Sequence, residues 1–404
     1  MKALRFTRIA STFVAGVLLQ ACSLLPRLDA VPSTMTEQAV IPGIPNARYW
    51  ADRDLGPFVE QLLQDLKRWN GAHADAANSN DQSPSSLLAI SGGGDAGAFA
   101  AGLLAGWAAR GTRPEFRLVT GVSAGALIAP FAFLGPEYDD VVRTVVASIR
   151  AKDIFRSRNF LTGLVSDGMA DSKPLSRVLE KYVTPAVLSA IAAEYAKGRA
   201  LYIGTTDLDS GRTVSWNMGA IAASGAPGAL DLFRKVLIAA ASIPGVVSPV
   251  MIDVAIDGKR FQEMHADGGV ITQVFLYPPR ILAELQVVTG VPFQGAISAY
   301  VIRNGKLQPE WEGTRRRTFA IATRSISALI QTQGINDVER IYRAARRDGV
   351  DFNLAYIESD FTHPHGKEFD PDYMKSLFDY SYRLGANGYA WHKTLPREAE
   401  SEPE

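Results

Sequence analysis

Apolar positions along this chain alternate between helical spacing and short unbroken runs. Phe58, Leu62, Leu63, Leu66 and Trp69 recur at a spacing that lays one stripe of a helix against a core. A polar stretch over 70–86 follows, and from Leu87 the pattern becomes strand, glycine turn, helix, repeated. Residues 87–90 predict a strand, Ser91-Gly92-Gly93-Gly94 its turn, and the small-residue segment 96–110 a helix. Residues 117–120 predict the next strand, followed by a turn over 121–125 and a helix to Leu134. Strands and helices alternating at this spacing predict an α/β protein with a mostly parallel sheet covered on both faces. Residues 201–207 and 213–217 flank Asp209-Ser210-Gly211, a hairpin signal that adds antiparallel pairing. Further on, the pattern predicts a helix over 233–242 stopped by Pro244-Gly245, strands at 299–303 and 352–357, and a closing helix over 372–393.

Composition narrows the function classes. With 404 residues, 47% hydrophobic and 21% charged, the chain can bury one large core or two modest ones. Its 42 basic residues balance 42 acidic ones, so no net field attracts a polyanion and a nucleic-acid partner is not expected. The single cysteine, Cys22, excludes an internal disulfide and a zinc site of the usual kind. Its position says more than its number. Lys2, Arg5 and Arg8 precede an apolar run over 9–19 and then Leu19-Gln20-Ala21-Cys22, the order of a secretory signal. That run falls short of the roughly 20 residues that cross a bilayer. The motif resembles a bacterial lipobox, which implies cleavage before Cys22 and acylation of the new terminus, with Ser23 implying transfer to the outer membrane. A plain signal peptide with an incidental cysteine is the alternative.

The organisation expected is therefore a signal over 1–21, a proline-containing tether over 22–57, a folded domain over 58–393 with its core at 86–275, and a disordered acidic tail over 394–404. The expected location is the bacterial cell envelope, lipid-anchored at the outer membrane and facing the periplasm. The later apolar stretch 236–256 contains Pro244, Gly245, Pro249 and Asp253, which argue against a membrane span.

Three short motifs carry candidate chemistry. Gly121-Val122-Ser123-Ala124-Gly125 fits a nucleophile elbow, in which a sharp strand-to-helix turn lifts the serine hydroxyl clear of its neighbours. The helix that follows would place Ser123 where the dipole favours developing negative charge. Gly92-Gly93-Gly94 can turn backbone amides into one concavity, suited to an oxyanion. A phosphate loop would need a lysine followed by serine or threonine at its end, and a dinucleotide loop an acidic residue after a second strand; neither fits well. A purely structural turn remains open. Ala266-Asp267-Gly268-Gly269 offers an aspartate that could take a proton from a serine directly. Asp-Gly is also a common turn dipeptide, so Asp267 alone is ambiguous.

Taken together, in this order, the three motifs resemble the patatin-like phospholipase family. The similarity is closest from Leu87 to Ile271 and includes the Thr206-Asp207-Leu208-Asp209-Ser210-Gly211 hairpin and Ala241-Ser242-Ile243-Pro244-Gly245. The resemblance implies a three-layer α/β/α fold, a Ser-Asp dyad, an acyl-enzyme intermediate, and neither metal nor cofactor. By that match Ser123 is the nucleophile, Asp267 the base, and the amides of Gly92, Gly93 and Gly94 the oxyanion donors, acting on a lipid or other hydrophobic ester. Two departures stand out. Relatives often carry a basic residue after the glycine run, where this chain has Asp95-Ala96, and the segment after Gly269 reads Val270-Ile271-Thr272-Gln273 without an asparagine-proline ending. Both weaken phospholipid specificity and leave ester hydrolysis intact. A non-catalytic envelope lipoprotein and a transacylase are the alternatives.

His265, two positions before Asp267, points to the same side of an extended chain and is a rival base or a supporting group. His363 and His365 read as loop, and Asp171-Ser172-Lys173-Pro174 as a helix start. Residues 155–169, with Phe155, Phe160 and Leu161 among glycines, read as ordinary core or as an apolar flap over the site.

Overall fold

Alternate side chains of one short strand show how the layers form. In β2 (Ser85–Ile90), Leu88 and Ile90 enter one apolar core, while Leu87 and Ala89 enter another on the opposite face. A strand apolar on both faces has to lie between two helical layers. The computed structural model describes residues 27–396 apart from 51, 53–54, 73–84, 155, 158–169, 279, 290–295, 309–310 and 312. The expected signal over 1–21 with Cys22, and the tail from 397, lie outside the described residues.

Among the described residues the sheet has nine strands. Beside β2 run β3 (Phe116–Val122), β6 (Ala200–Asp207), β10 (Ile297–Arg303) and β11 (Asp351–Tyr356). These five are parallel in the order β6-β3-β2-β10-β11. The β6–β7 hairpin, with β7 at Arg212–Asn217, adds an antiparallel neighbour as its turn signal predicts. β8 (Val250–Ile256) and β9 (Lys259–Asp267) form a second hairpin whose last three residues pair antiparallel with β6. The small strands β4 (Arg156–Ser157) and β5 (Ala170–Asp171) pair separately.

One face of the sheet packs against α2 (Ala98–Ala109), α3 (Ala124–Leu134), α4 (Ala229–Ala240) and α7 (Pro371–Asn387), through Phe99, Leu103, Phe133, Phe233 and Leu377. The other is covered by α1 (Gly56–Ala72), α5 (Ile281–Thr289) and the C-terminal half of α6 (Thr318–Asp348), through Val59, Ile281, Val338 and Ile341. The architecture is the three-layer α/β/α arrangement that the alternation predicts. The helix expected to start at Ala96 is instead a 3-10 turn, Gly94–Gly97, leading into α2.

The expected tether needs correction. Residues 27–50 lie docked along the sheet. Gln262 donates its amide to the Asp29 carbonyl at 3.0 Å, and Val40 and Ala255 exchange backbone hydrogen bonds at 3.0 and 2.9 Å. β1 (Arg48–Trp50) then pairs antiparallel with β7 as the edge strand. Val31, Ile41, Ile44 and Ala47 are buried one at a time between prolines and turns, so the segment shows no period although it adds to the core. The last turn of the expected closing helix is also absent: α7 stops at Asn387, ahead of a left-handed Gly388.

Candidate active site

The five parallel strands end on one side of the sheet, and two of the expected site segments, the glycine run after β2 and Ser123 after β3, follow them there, as binding sites in open α/β sheets do; Asp267 arrives on the antiparallel β9. β3 turns into α3 through Ser123, whose backbone sits at φ 53° and ψ −124°. A non-glycine residue at positive φ is strained, and the neighbouring glycines show why the strain persists. A Cβ at position 121 would lie 2.5 Å from the Gly125 carbonyl oxygen, and one at 125 would lie 2.3 Å from the Ile90 oxygen. Strand, turn and helix are thus pressed together around Ser123.

Asp267 reaches Ser123 through the pairing of β6. Val122 pairs with Gly204, and the next residue of β6, Thr205, pairs with Asp267. β9 therefore takes over the edge of β6 where β3 leaves it. This hand-over places the Ser123 hydroxyl 2.6 Å from Oδ2 of Asp267, to which it donates. Oδ1 of Asp267 accepts the Gly269 amide at 2.7 Å. Both side chains are buried. Burial pushes the Asp267 carboxyl up to about 6, against the two hydrogen bonds from Ser123 and Gly269, which pull it down. A carboxylate of that basicity, hydrogen-bonded to the hydroxyl of a strained serine, can accept its proton.

The glycine run lies beside the pair: a Cβ at position 92 would sit 3.1 Å from that of Ser123. Its three amides are not equivalent. The Gly92 amide donates to the Gln273 carbonyl at 2.9 Å, which corrects the expectation that all three face an anion. The amides of Gly93 and Gly94 have no acceptor among the described residues.

Sequence reasoning missed what holds this loop. Asn304, at the end of β10, donates its backbone amide to Ser91 Oγ at 2.8 Å and its side-chain amide to the Ser91 carbonyl at 2.8 Å. It also accepts the Ala100 amide at 3.0 Å, at the start of α2. The buried Arg303 donates to Ser91 Oγ and to the Gly92 carbonyl, both at 3.3 Å; burial lowers its pKa to about 10, with Asp337 opposing. Asp337 accepts the Gln273 amide at 2.6 Å. Asn-Gly is a common turn dipeptide, and nothing local marks Asn304 or its neighbour Arg303 as a brace for a loop 212 positions earlier in the sequence, the separation between Ser91 and Arg303.

His265 does not join the pair. It is fully buried, with Nδ1 2.9 Å from Thr205 Oγ1 and Nε2 3.1 Å from Glu263 Oε2. Trp216 donates to the same Thr205 oxygen at 2.8 Å. The ring is thus part of a hydrogen-bonded wall on the β6–β9 face. His365 lies in a loop, with Nε2 2.8 Å from Oδ2 of Asp95. The same oxygen accepts the Phe369 amide at 2.8 Å, so Asp95 fastens the loop before α7 to the end of the glycine run. Of the candidate flap, residues 155 and 158–169 lie outside the described residues.

Residues 88–278 match the model of the patatin-like phospholipase family. A search of curated proteins finds no match. Among solved structures, the chain is similar to VipD from Legionella pneumophila at 12% identity and a TM-score of 0.30, over 75% of this chain and 67% of that one. That likeness is too slight to carry an argument.

Proposed function

Since residues 88–278 form a patatin-like phospholipase domain, a family of lipid acyl hydrolases, we propose that this chain hydrolyses carboxylic esters of lipid-like substrates, with Ser123 as nucleophile and Asp267 as base. The observation that carries the reading is the 2.6 Å hydrogen bond from the strained Ser123 to a buried carboxylate. In the first step Ser123 Oγ attacks the ester carbonyl, its proton passes to Asp267, and the negative charge moves to the carbonyl oxygen. The amides of Gly93 and Gly94 receive that charge; donors of this kind are worth about 2.7–4 kcal/mol each. Collapse expels the alcohol, which takes the proton back from Asp267. Water then attacks the acyl-enzyme, giving its proton to Asp267, and the acid leaves as Ser123 is reprotonated. No metal or cofactor enters these steps.

The test is labelling of the folded protein with a fluorophosphonate, followed by mass spectrometry of the modified peptide. Modification of Ser123, absent in Ser123→Ala and lowered at least a hundredfold in rate in Asp267→Asn, is the expected result, the magnitude following from loss of general-base catalysis at about 10²–10⁴-fold. A folded protein whose serine reacts equally well in Asp267→Asn has no such dyad.

A further inference from the structure

The N-terminal half of α6 turns large apolar side chains to solvent. Its other half is fixed to the sheet by Val338, Ile341, Tyr342 and Ala345, but Ile321, Ile326, Leu329 and Ile330 are exposed at 50%, 56%, 69% and 38%. At about 100° per residue these four lie within one half of the helix circumference, with Arg324 and Ser327 on the other. Singly exposed apolar residues are ordinary on a protein surface, whereas a stripe of this length marks a contact. Just before the helix, Trp311 is 93% exposed, and Arg315, Arg316 and Arg317 are exposed as well. Residues 310–336, which include that tryptophan, contain four arginines against two glutamates, Glu310 and Glu312, in a chain whose charges balance overall.

We propose that this helix face and the arginine run before it dock on an anionic lipid surface. An apolar stripe alone would suit many partners. A basic run at its end that outnumbers the glutamates around the exposed tryptophan beside it matches a surface that is negatively charged outside and apolar beneath. No helix among the described residues is long and apolar enough to cross a membrane; the proposed docking lays α6 in the interface plane with its apolar stripe toward the lipid. The stripe lies outside the family-matched region and includes none of the residues described around Ser123. The inference deepens the proposed function by giving a lipid-ester hydrolase a way onto its substrate's surface, yet binding and turnover are measured independently.

The experiment is vesicle flotation of the full chain carrying Cys22→Ser, which removes the expected acylation site. It compares phosphatidylcholine vesicles with vesicles that also contain phosphatidylglycerol. Binding to the anionic vesicles that weakens with salt is expected. Ile326→Glu with Leu329→Glu lowers the partition coefficient by at least about tenfold, the scale set by moving large apolar side chains out of water. Arg315→Gln with Arg316→Gln and Arg317→Gln removes most of the salt dependence. Because all five positions are exposed, the thermal midpoint and circular dichroism are expected to stay at the parent values. Equal binding by parent and both variants overturns the proposal. So does a dimer, seen by light scattering, that Leu329→Glu dissolves while vesicles are ignored. Fluorophosphonate labelling without vesicle binding defeats the docking surface and leaves the hydrolase reading standing; vesicle binding without labelling does the reverse.

Discussion

As the proposed base, Asp267 sets activity against stability. Burial raises its carboxyl to about 6 from an ordinary value of 3.8, so the folded protein holds the proton more tightly than the unfolded chain does. The stabilising contribution of that protonated form is full below pH 3.8 and is lost as pH rises through about 6. Proton abstraction needs the opposite, the ionised form. The rate with a soluble ester is therefore expected to fall tenfold per pH unit on the acid side of about 6, and a profile flat down to pH 4.5 would exclude Asp267 as the base. Asp267→Asn removes the buried charge while an amide can still accept from Gly269 and donate to Ser123. Thermal melts are expected to show it more stable than the parent at pH 8, by up to about 3 kcal/mol for two pKa units, and no more stable at pH 4. At this scale the serine and the aspartate were legible because each sits in a motif of a few residues. The occupied Gly92 amide was not, since its partner, Gln273, belongs to a different segment.

The elements were readable wherever their signals are local. The strands at 85–90, 116–122 and 200–207 follow apolar runs, and the β6–β7 hairpin follows its turn. The hand-over of the β6 edge from β3 to β9 was hidden, because no periodicity tells which strand a neighbour will pair with. Its tightness can be tested at the elbow. In Gly125→Ala the new Cβ would meet the Ile90 oxygen at 2.3 Å and the Ser91 oxygen at 2.7 Å, both backbone atoms that cannot swing aside. β2 and α3 must then separate, which costs about 1–3 kcal/mol as overpacking does and shifts Ser123 from Asp267. Gly211→Ala, at a hairpin position with φ +65° and open space around it, supplies the contrast. Both variants are expected to melt earlier than the parent, but at a temperature where both stay folded only Gly125→Ala loses fluorophosphonate reactivity. Equal reactivity in the two would mean that the elbow tolerates widening.

The whole molecule closes through a segment whose sequence gives no hint of it. Residues 27–50 join the fold by isolated apolar side chains, an edge strand and a buried ion pair, none of which leaves a period in the sequence. That pair joins Arg48 of β1 to Glu263 of β9, with side chains only 6% and 2% exposed. Nη2 of Arg48 donates to Oε1 of Glu263 at 2.7 Å, and Arg48 also donates to the Ala39 carbonyl at 3.0 Å. Burial works to raise the Glu263 carboxyl, but the hydrogen bond with His265 and the Arg48 charge outweigh it and hold the group at about 2. A depressed carboxyl contributes stability above its unfolded value of 4.5 and loses it as pH falls through about 2. Arg48→Met leaves the carboxylate buried beside His265 without its cation, a change expected to lower stability by about 3–5 kcal/mol at pH 7. The acid-unfolding midpoint should move up in the same variant, because Glu263 then takes a proton at higher pH. Adding Glu263→Gln removes the stranded charge, so urea unfolding of the double variant should regain part of that loss. If the single and double variants unfold at the same urea concentration, Arg48 acts only through its packing and its bond to Ala39, and β1 is held without help from charge.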